Sequence, residues 1–322
     1  MGQDYTYGVA RIRALENTLF TDETINNLLA CGDYEECIRV LRDKGWGNGI
    51  PNESLESMIT EEKNKARHIL EDLLKDSEDI RILNINDEFH NLKAAVKQVC
   101  TEDETENVFY AGTKYDPQFL KECIRNGNYI NLPDNMAEPA KEATEALLRT
   151  GDGQLCDIII DRATLEAIRK TGLQSENELV RRYAETQVMI ADIKIAVRGA
   201  ATGKDSQFVE KCVVPCIGIS VTDLIKAVDG GLESVCSYLE SVGFEDAVKA
   251  LKISKSVFEC WCDNIIIEDI KPEKYNSFSS GPIIAFYIAK EMEIKNVKII
   301  LSGKLNGFDN EFIKERVRLM YA

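Results

Sequence analysis

Gly199-Ala200-Ala201-Thr202-Gly203-Lys204-Asp205 has the residue types of a phosphate-binding loop. That chemistry needs four residues between the glycines, then Lys and Ser or Thr, entered from a strand so that backbone N–H groups surround the phosphate. Here three residues separate the glycines, Asp follows the Lys, and a helical pattern leads in. The stretch is predicted to be a helix terminus. Gly45-Trp46-Gly47-Asn48-Gly49 is glycine-rich, but Pro51 follows and no Lys is placed for a phosphate. It reads as a loop between helices. Trp46 there is either packing over the loop or a contact for a partner. The ten cysteines include two close pairs, Cys212/Cys216 and Cys260/Cys262, but no CxxC, and neither pair has a His beside it. A zinc site needs four ligands at set spacings. Buried free thiols are the better reading. The two histidines, His68 and His90, stand near no nucleophile, and His68 sits in a charged stretch that predicts a surface position. Fifty-five carboxylates are an abundance, not an acid–base constellation. The expectation is therefore no catalytic residue, no metal and no cofactor.

The elements are predicted to be helices throughout. Ile69, Leu70, Leu73 and Leu74 mark one face of a helix from about Ser54 to Lys75. Ser175-Glu176-Asn177-Glu178 reads as a capping box ahead of a helix reaching about Ala200. Asp33 reads as an N-cap with Glu36 as its box partner, after a stop at Gly32. Asp309 is predicted to open a last helix that runs nearly to the C-terminus. Val297–Leu301 is apolar and β-branched, and by itself fits a buried strand.

Internal repetition sets the expected organisation. Residues 88–97, 189–198 and 293–302 share four apolar positions, an Asn or Asp (Asn91, Asp192, Asn296) and a Lys (Lys93, Lys194, Lys298). The lysines lie 101 and then 104 residues apart. A second marker, Gly32-Asp33-Tyr34, Gly127-Asn128-Tyr129 and Gly230-Gly231-Leu232, recurs at 95 and 103 residues. The period exceeds the roughly 33–47 residues of helical solenoids and equals a small domain. Three units are expected, at residues 1–107, 108–203 and 204–322, able to close around a pseudo-three-fold axis and leave an opening on it. At about 100° per residue, Phe89, Leu92 and Val96 form one stripe, Lys93 lies at its edge, and Asn91 lies well round. Each Lys has two readings: an inter-helix ion pair with the Asn as an exposed polar site, or a contact for a partner.

The net charge of −16 opposes nucleic-acid binding, which needs a basic face, and opposes docking on anionic lipid. No stretch approaches the ~20 apolar residues that span a bilayer. The N-terminus shows no signal-like apolar run, and Gly2 is at most formally compatible with myristoylation.

Tyr7-Gly8-Val9-Ala10-Arg11-Ile12-Arg13-Ala14-Leu15-Glu16 resembles the opening helix of the C subunit of archaeal and bacterial A/V-type ATPases, related to the d subunit of the vacuolar ATPase. Asn91-Leu92-Lys93 resembles that family's first-repeat signature. The run from Ala289 to Lys298, continuing through Leu301 and Gly303-Lys304-Leu305-Asn306-Gly307, is the most specific match. The resemblance covers the whole chain and departs at the second repeat, where Asp192 replaces Asn. It implies an all-α funnel of three pseudo-symmetric repeats, with Val297–Leu301 helical. It implies a non-catalytic rotor subunit on the cytosolic face of a membrane, between the central stalk and the membrane proteolipid ring. The isolated chain would be a monomer. The candidate partner contacts are Trp46, Lys93, Lys194 and Lys298. The rival reading is a helical scaffold in a soluble assembly or signalling complex.

Overall fold

The computed structural model describes residues 5–47, 54–74, 77–103, 105 and 108–322. Gly2, Asn48, Gly49, Pro51, Lys75 and the expected unit boundary at residue 107 lie outside these. Every regular element among the described residues is a helix. The chain divides into two compact units. The first takes Met1–Ile80, Asn177–Leu179 and Phe244–Ala322; the second takes Arg81–Glu176 and Val180–Gly243.

The first unit opens with α1 (Thr6–Glu16), α2 (Asp22–Ala30), α3 (Tyr34–Asp43) and α4 (Leu55–Leu74). The second holds α5 (Arg81–Thr101), α6 (Pro117–Arg125), α7 (Asp134–Thr150) and α8 (Gly153–Gln174), then α9 (Glu178–Ala201), whose first two residues belong with the first unit. It continues through α10 (Ser206–Glu210), α11 (Val221–Asp229) and α12 (Gly231–Ser241). The chain then returns to the first unit with α13 (Glu245–Ile253), α14 (Lys255–Ile270), α15 (Gly281–Leu305) and α16 (Asn310–Lys314).

Most helices start on a side chain that satisfies an orphan N–H of the first turn. Thr21, Asp33, Asp116, Asp152, Asp205, Ser220, Ser254 and Asp309 each accept from a backbone N–H two or three residues on. At Asp33 the box closes in the other direction too, since the Glu36 carboxylate accepts from the Gly32 N–H at 2.6 Å. The start of α9 is different from the expected box. Asn177, not Ser175, accepts from the Leu179 N–H, at 2.8 Å. Ser175 instead ends α8, and Arg181 reaches its carbonyl at 2.8 Å.

The first unit is organised round α15. Seventeen of its 25 residues are buried, so it is apolar nearly all round, as a core helix must be. Helices α1, α2, α3, α4 and α14 pack on it. Val297, Ile300 and Leu301 meet Ile25, Leu28, Leu41 and Met58 in one apolar cluster, so the β-branched run is helical. Where α15 begins, Asp79 and Asn177 hydrogen-bond to the buried Ser280 hydroxyl at 2.6 and 2.5 Å. In the second unit α8 packs on α7 and α5, and α5 on α6 and α7.

The last helix is shorter than its pattern predicts. It ends at Lys314, and Glu315–Ala322 runs on without regular helix. The reason is a side chain 22 residues upstream: Asn296 takes both backbone groups of Arg318, at 2.9 and 3.0 Å. Helix cannot continue through a residue whose N–H and C=O are already committed elsewhere.

Candidate functional site

The phosphate-loop lookalike is the frayed end of α9. Gly203 adopts φ +69°, a left-handed conformation suited to glycine, and the Lys204 N–H returns to the Gly199 carbonyl at 2.9 Å. Lys204 lies over the Phe208 ring at 4.6 Å. All ten cysteines are free thiols, six of them buried. Burial pushes Cys37 up to about 12, helped by Cys31, and Cys156 and Cys216 up to about 11. Such thiols are not nucleophiles at neutral pH. No group of three or more His, Cys, Asp or Glu among the described residues is arranged to hold a metal ion. His68 is at the surface, 3.9 Å from Asp72.

The candidate contacts occupy different surroundings. Trp46 is only 3% exposed and packs in the first unit. Its ring stacks on Phe20 with centroids 5.6 Å apart, and the Lys290 ammonium lies 5.1 Å from its centroid. Its indole N–H has no hydrogen-bond partner among the described residues. Lys93, on α5, pairs with Asp161 on α8 at 2.6 Å, and one turn on Lys97 pairs with Asp157, also at 2.6 Å. These are the inter-helix ion pairs that its place at the edge of the stripe predicts. Lys194 is half-buried on α9. Lys298 is exposed on α15 and has no ion pair among the described residues.

Sequence reasoning missed the asparagines. Asn91 is fully buried rather than an exposed polar site. Its amide grips the backbone of Tyr110 in both directions, accepting from the N–H at 2.8 Å and donating to the C=O at 2.9 Å. Asn296 does the same to Arg318. Asp192, also fully buried, accepts from the Val214 N–H at 3.1 Å. The three side chains sit at matching places in the repeated pattern and each ties down the chain 19 to 22 residues later. The shared Asn/Asp column was the available signal. Helical periodicity alone hid it, because the returning segment covers a second face.

Exposed apolar side chains collect near both ends of α15. Before its start, Tyr275 and Phe278 are 90% and 91% exposed. Their loop is stiff: Arg13 donates to the Glu273 and Asn276 carbonyls at 2.7 and 2.6 Å, and Asn276 bridges Glu273 and Ser279. At its other end Leu305, the last residue of α15, is exposed, as are Phe308 and Phe312 beyond it, with the Arg316 guanidinium 3.5 Å from the Phe312 centroid. A helix of 25 residues separates the two groups by about 37 Å. Aromatic side chains on a rigid backbone suit protein–protein contact, because little ordering entropy is lost on binding.

The described residues thus form an all-helical molecule with exposed aromatic groups near both ends of its core helix. The chain belongs to the ATP synthase (C/AC39) subunit family, whose pattern it matches over residues 8–316. It is 23% identical to the C subunit of the V-type sodium ATPase of Enterococcus hirae, across 96% of this chain and 97% of that one. It is 25% identical to the C subunit of the A-type ATP synthase of Methanocaldococcus jannaschii, across 96% of this chain and 85% of the other. The corresponding subunit of Methanothermobacter thermautotrophicus is 23% identical, across 97% and 87%. No helix among the described residues is long and apolar enough to cross a membrane.

Proposed function

We propose that this chain is the non-catalytic rotor subunit of an A/V-type ATPase, seated between the central stalk and the membrane proteolipid ring on the cytosolic side. It passes torque between ATP chemistry and the movement of H⁺ or Na⁺, and no bond is made or broken in it. The match to the family over nearly the whole chain carries this reading. Two features support it. A part that transmits torque must be stiff, and a largely buried central helix in a densely packed unit is stiff. It must also be gripped on two sides, and the rigid aromatic groups beyond the two ends of α15 offer two grips.

Three repeats, at 1–107, 108–203 and 204–322, closing into a funnel, belong to the same proposal. The matching backbone grips of Asn91, Asp192 and Asn296 favour it. Lys194 and Lys298 remain the contact candidates. For Lys93 and Trp46, the ion pair and the burial favour a packing role.

Co-purification of the tagged full chain with its native partners is the test. The expected result is recovery of stalk and proteolipid subunits together, with no ATPase activity in the chain by itself. Recovery of neither partner at any salt concentration rejects the rotor reading.

A further inference from the structure

Asn91 and Asn296 each close a two-way grip: the amide oxygen accepts a backbone N–H and the amide nitrogen donates to the carbonyl of the same residue. Asp192 stands at the matching position of α9, is 0% exposed, and closes half of it. Its Oδ1 accepts from Val214, while its Oδ2 is buried with no hydrogen-bond partner among the described residues. A buried oxygen without a partner costs free energy, and a buried unpaired charge costs more. A proton on Oδ2 removes the charge and makes that oxygen a donor, as Nδ2 is in the asparagines. We propose that Asp192 works as a neutral carboxylic acid, a protonated stand-in for asparagine, and that loss of its proton loosens the Val213–Ile219 loop.

The surroundings agree. Burial pushes the Asp192 carboxyl up to about 7, against the pull of the Val214 N–H, and no cation offsets it. The ionisable side chain within the loop is Cys216, and Cys212 stands just before it. Burial, with Asp192 itself as the next cause, holds Cys216 near 11, so it stays neutral. From α8, Asp161 and Arg162 act on Cys212. On α9 itself, Glu185 lies two turns back and accepts from the Ile217 N–H at 2.9 Å, so it is engaged with the same loop. Lys194 is two residues on, about 200° round the helix. Between these anchors Gly218 passes so close to Met189 that a Cβ there would lie 2.5 Å from its sulfur. The loop is thus held at three points along α9, one of them able to gain or lose a proton near neutrality, and it carries Ile217, 80% exposed.

The folded-state value lies above the unfolded one, so the stability this carboxyl contributes is fully present below the unfolded value near 4. It weakens as pH rises through about 7. Asp192→Asn in the full chain supplies the missing donor permanently. Melting is to be followed at about pH 5.5 and pH 8, either side of the titration. The expected result is a melting temperature raised by the substitution at both values and raised further at the higher pH, because the unfolded carboxyl is already ionised at the lower one while the folded one keeps its proton until about 7. An equal shift at both, or a loss at both, overturns the proposal. Two readouts do not depend on that variant folding. The side-chain carboxyl of Asp192, followed by carbon NMR in the unmodified protein, should titrate near 7; a midpoint near 4 rejects the proposal. Protection of the Val214 amide from hydrogen exchange, corrected for the intrinsic rate, should fall across the same interval, and protection that does not change rejects it.

Discussion

Lys290 is the residue on which the middle of the first unit depends. Its ammonium lies 2.5 Å from Glu293 and 3.5 Å from Glu62, both buried carboxylates, and it faces the rings of Trp46 and Phe20. Glu293 also accepts from the Phe20 N–H at 2.7 Å, so the cluster fixes the turn into α2. Removing one member of a buried charged group leaves the others uncompensated and costs about 3–5 kcal/mol. Lys290→Met is therefore expected to lower stability by that amount at neutral pH. Burial raises the Glu293 carboxyl, and Lys290 is the main influence pulling it back down. In the variant the value rises further. A raised carboxyl stabilises the fold at low pH and loses that benefit as pH rises, so part of the lost stability should return on acidification. Denaturant melts at several pH values check this; a deficit that grows on acidification contradicts it. Little of the cluster was legible in the sequence, since Lys290 and Trp46 lie 244 residues apart. Lys93 was legible because a lysine at the edge of an apolar stripe needs a partner on a neighbouring helix. Asn91 was not, because its partner is backbone, and backbone carries no residue type to read.

The helices themselves were largely written in local chemistry. Periodicity located α4, Asp33 and Glu36 marked the start of α3, and Gly203 marked the end of α9. Where local signals misled, a distant group had taken the backbone: Asn296 stops α16 short, and Asn177 caps α9 while also reaching Ser280. One close approach between elements is open to test. A Cβ on Gly303 of α15 would lie 2.6 and 2.7 Å from Cγ1 and Cδ1 of Ile313, which is 1% exposed on α16. Glycine inside a helix gives up about 1 kcal/mol relative to alanine. Overpacking costs about 1–3 kcal/mol. Gly303→Ala should therefore destabilise by up to about 2 kcal/mol, and Ile313→Ala on the same background should recover part of the loss as a coupling energy. A rise in melting temperature for Gly303→Ala alone would show that α16 yields freely.

At the scale of the molecule, the family was legible in the sequence. The N-terminal helix and the run through α15 carry the family's residues, and the match over 8–316 agrees with them. The two compact units do not follow the sequence period, since residues 204–243 fall in the second unit and 244–322 in the first. A repeat records how a chain was patterned; packing records which faces found each other. The charge of −16 is likewise a property of the whole. It predicts that association with a partner depends on basic surface there and weakens as salt screens it over about 8–10 Å at ordinary ionic strength.

The first unit is made from the two ends of the chain, and its core helix is the one before last. On a ribosome, α1 to α4 emerge long before α15 exists, so they wait with their apolar faces uncovered. Residues 81–243, apart from the three at 177–179, are contiguous and can close at once. Synthesis thus imposes an order: the middle folds first, and the ends are joined last, across a loop of some two hundred residues whose closure is slow. A chain stopped before Gly281 should keep a cooperative melt for the middle while α1 to α4 are cut rapidly by protease. The full chain refolding from denaturant should show protection of α5 and α8 before α15. Simultaneous protection of all three would mean that the ends find each other without waiting for the middle.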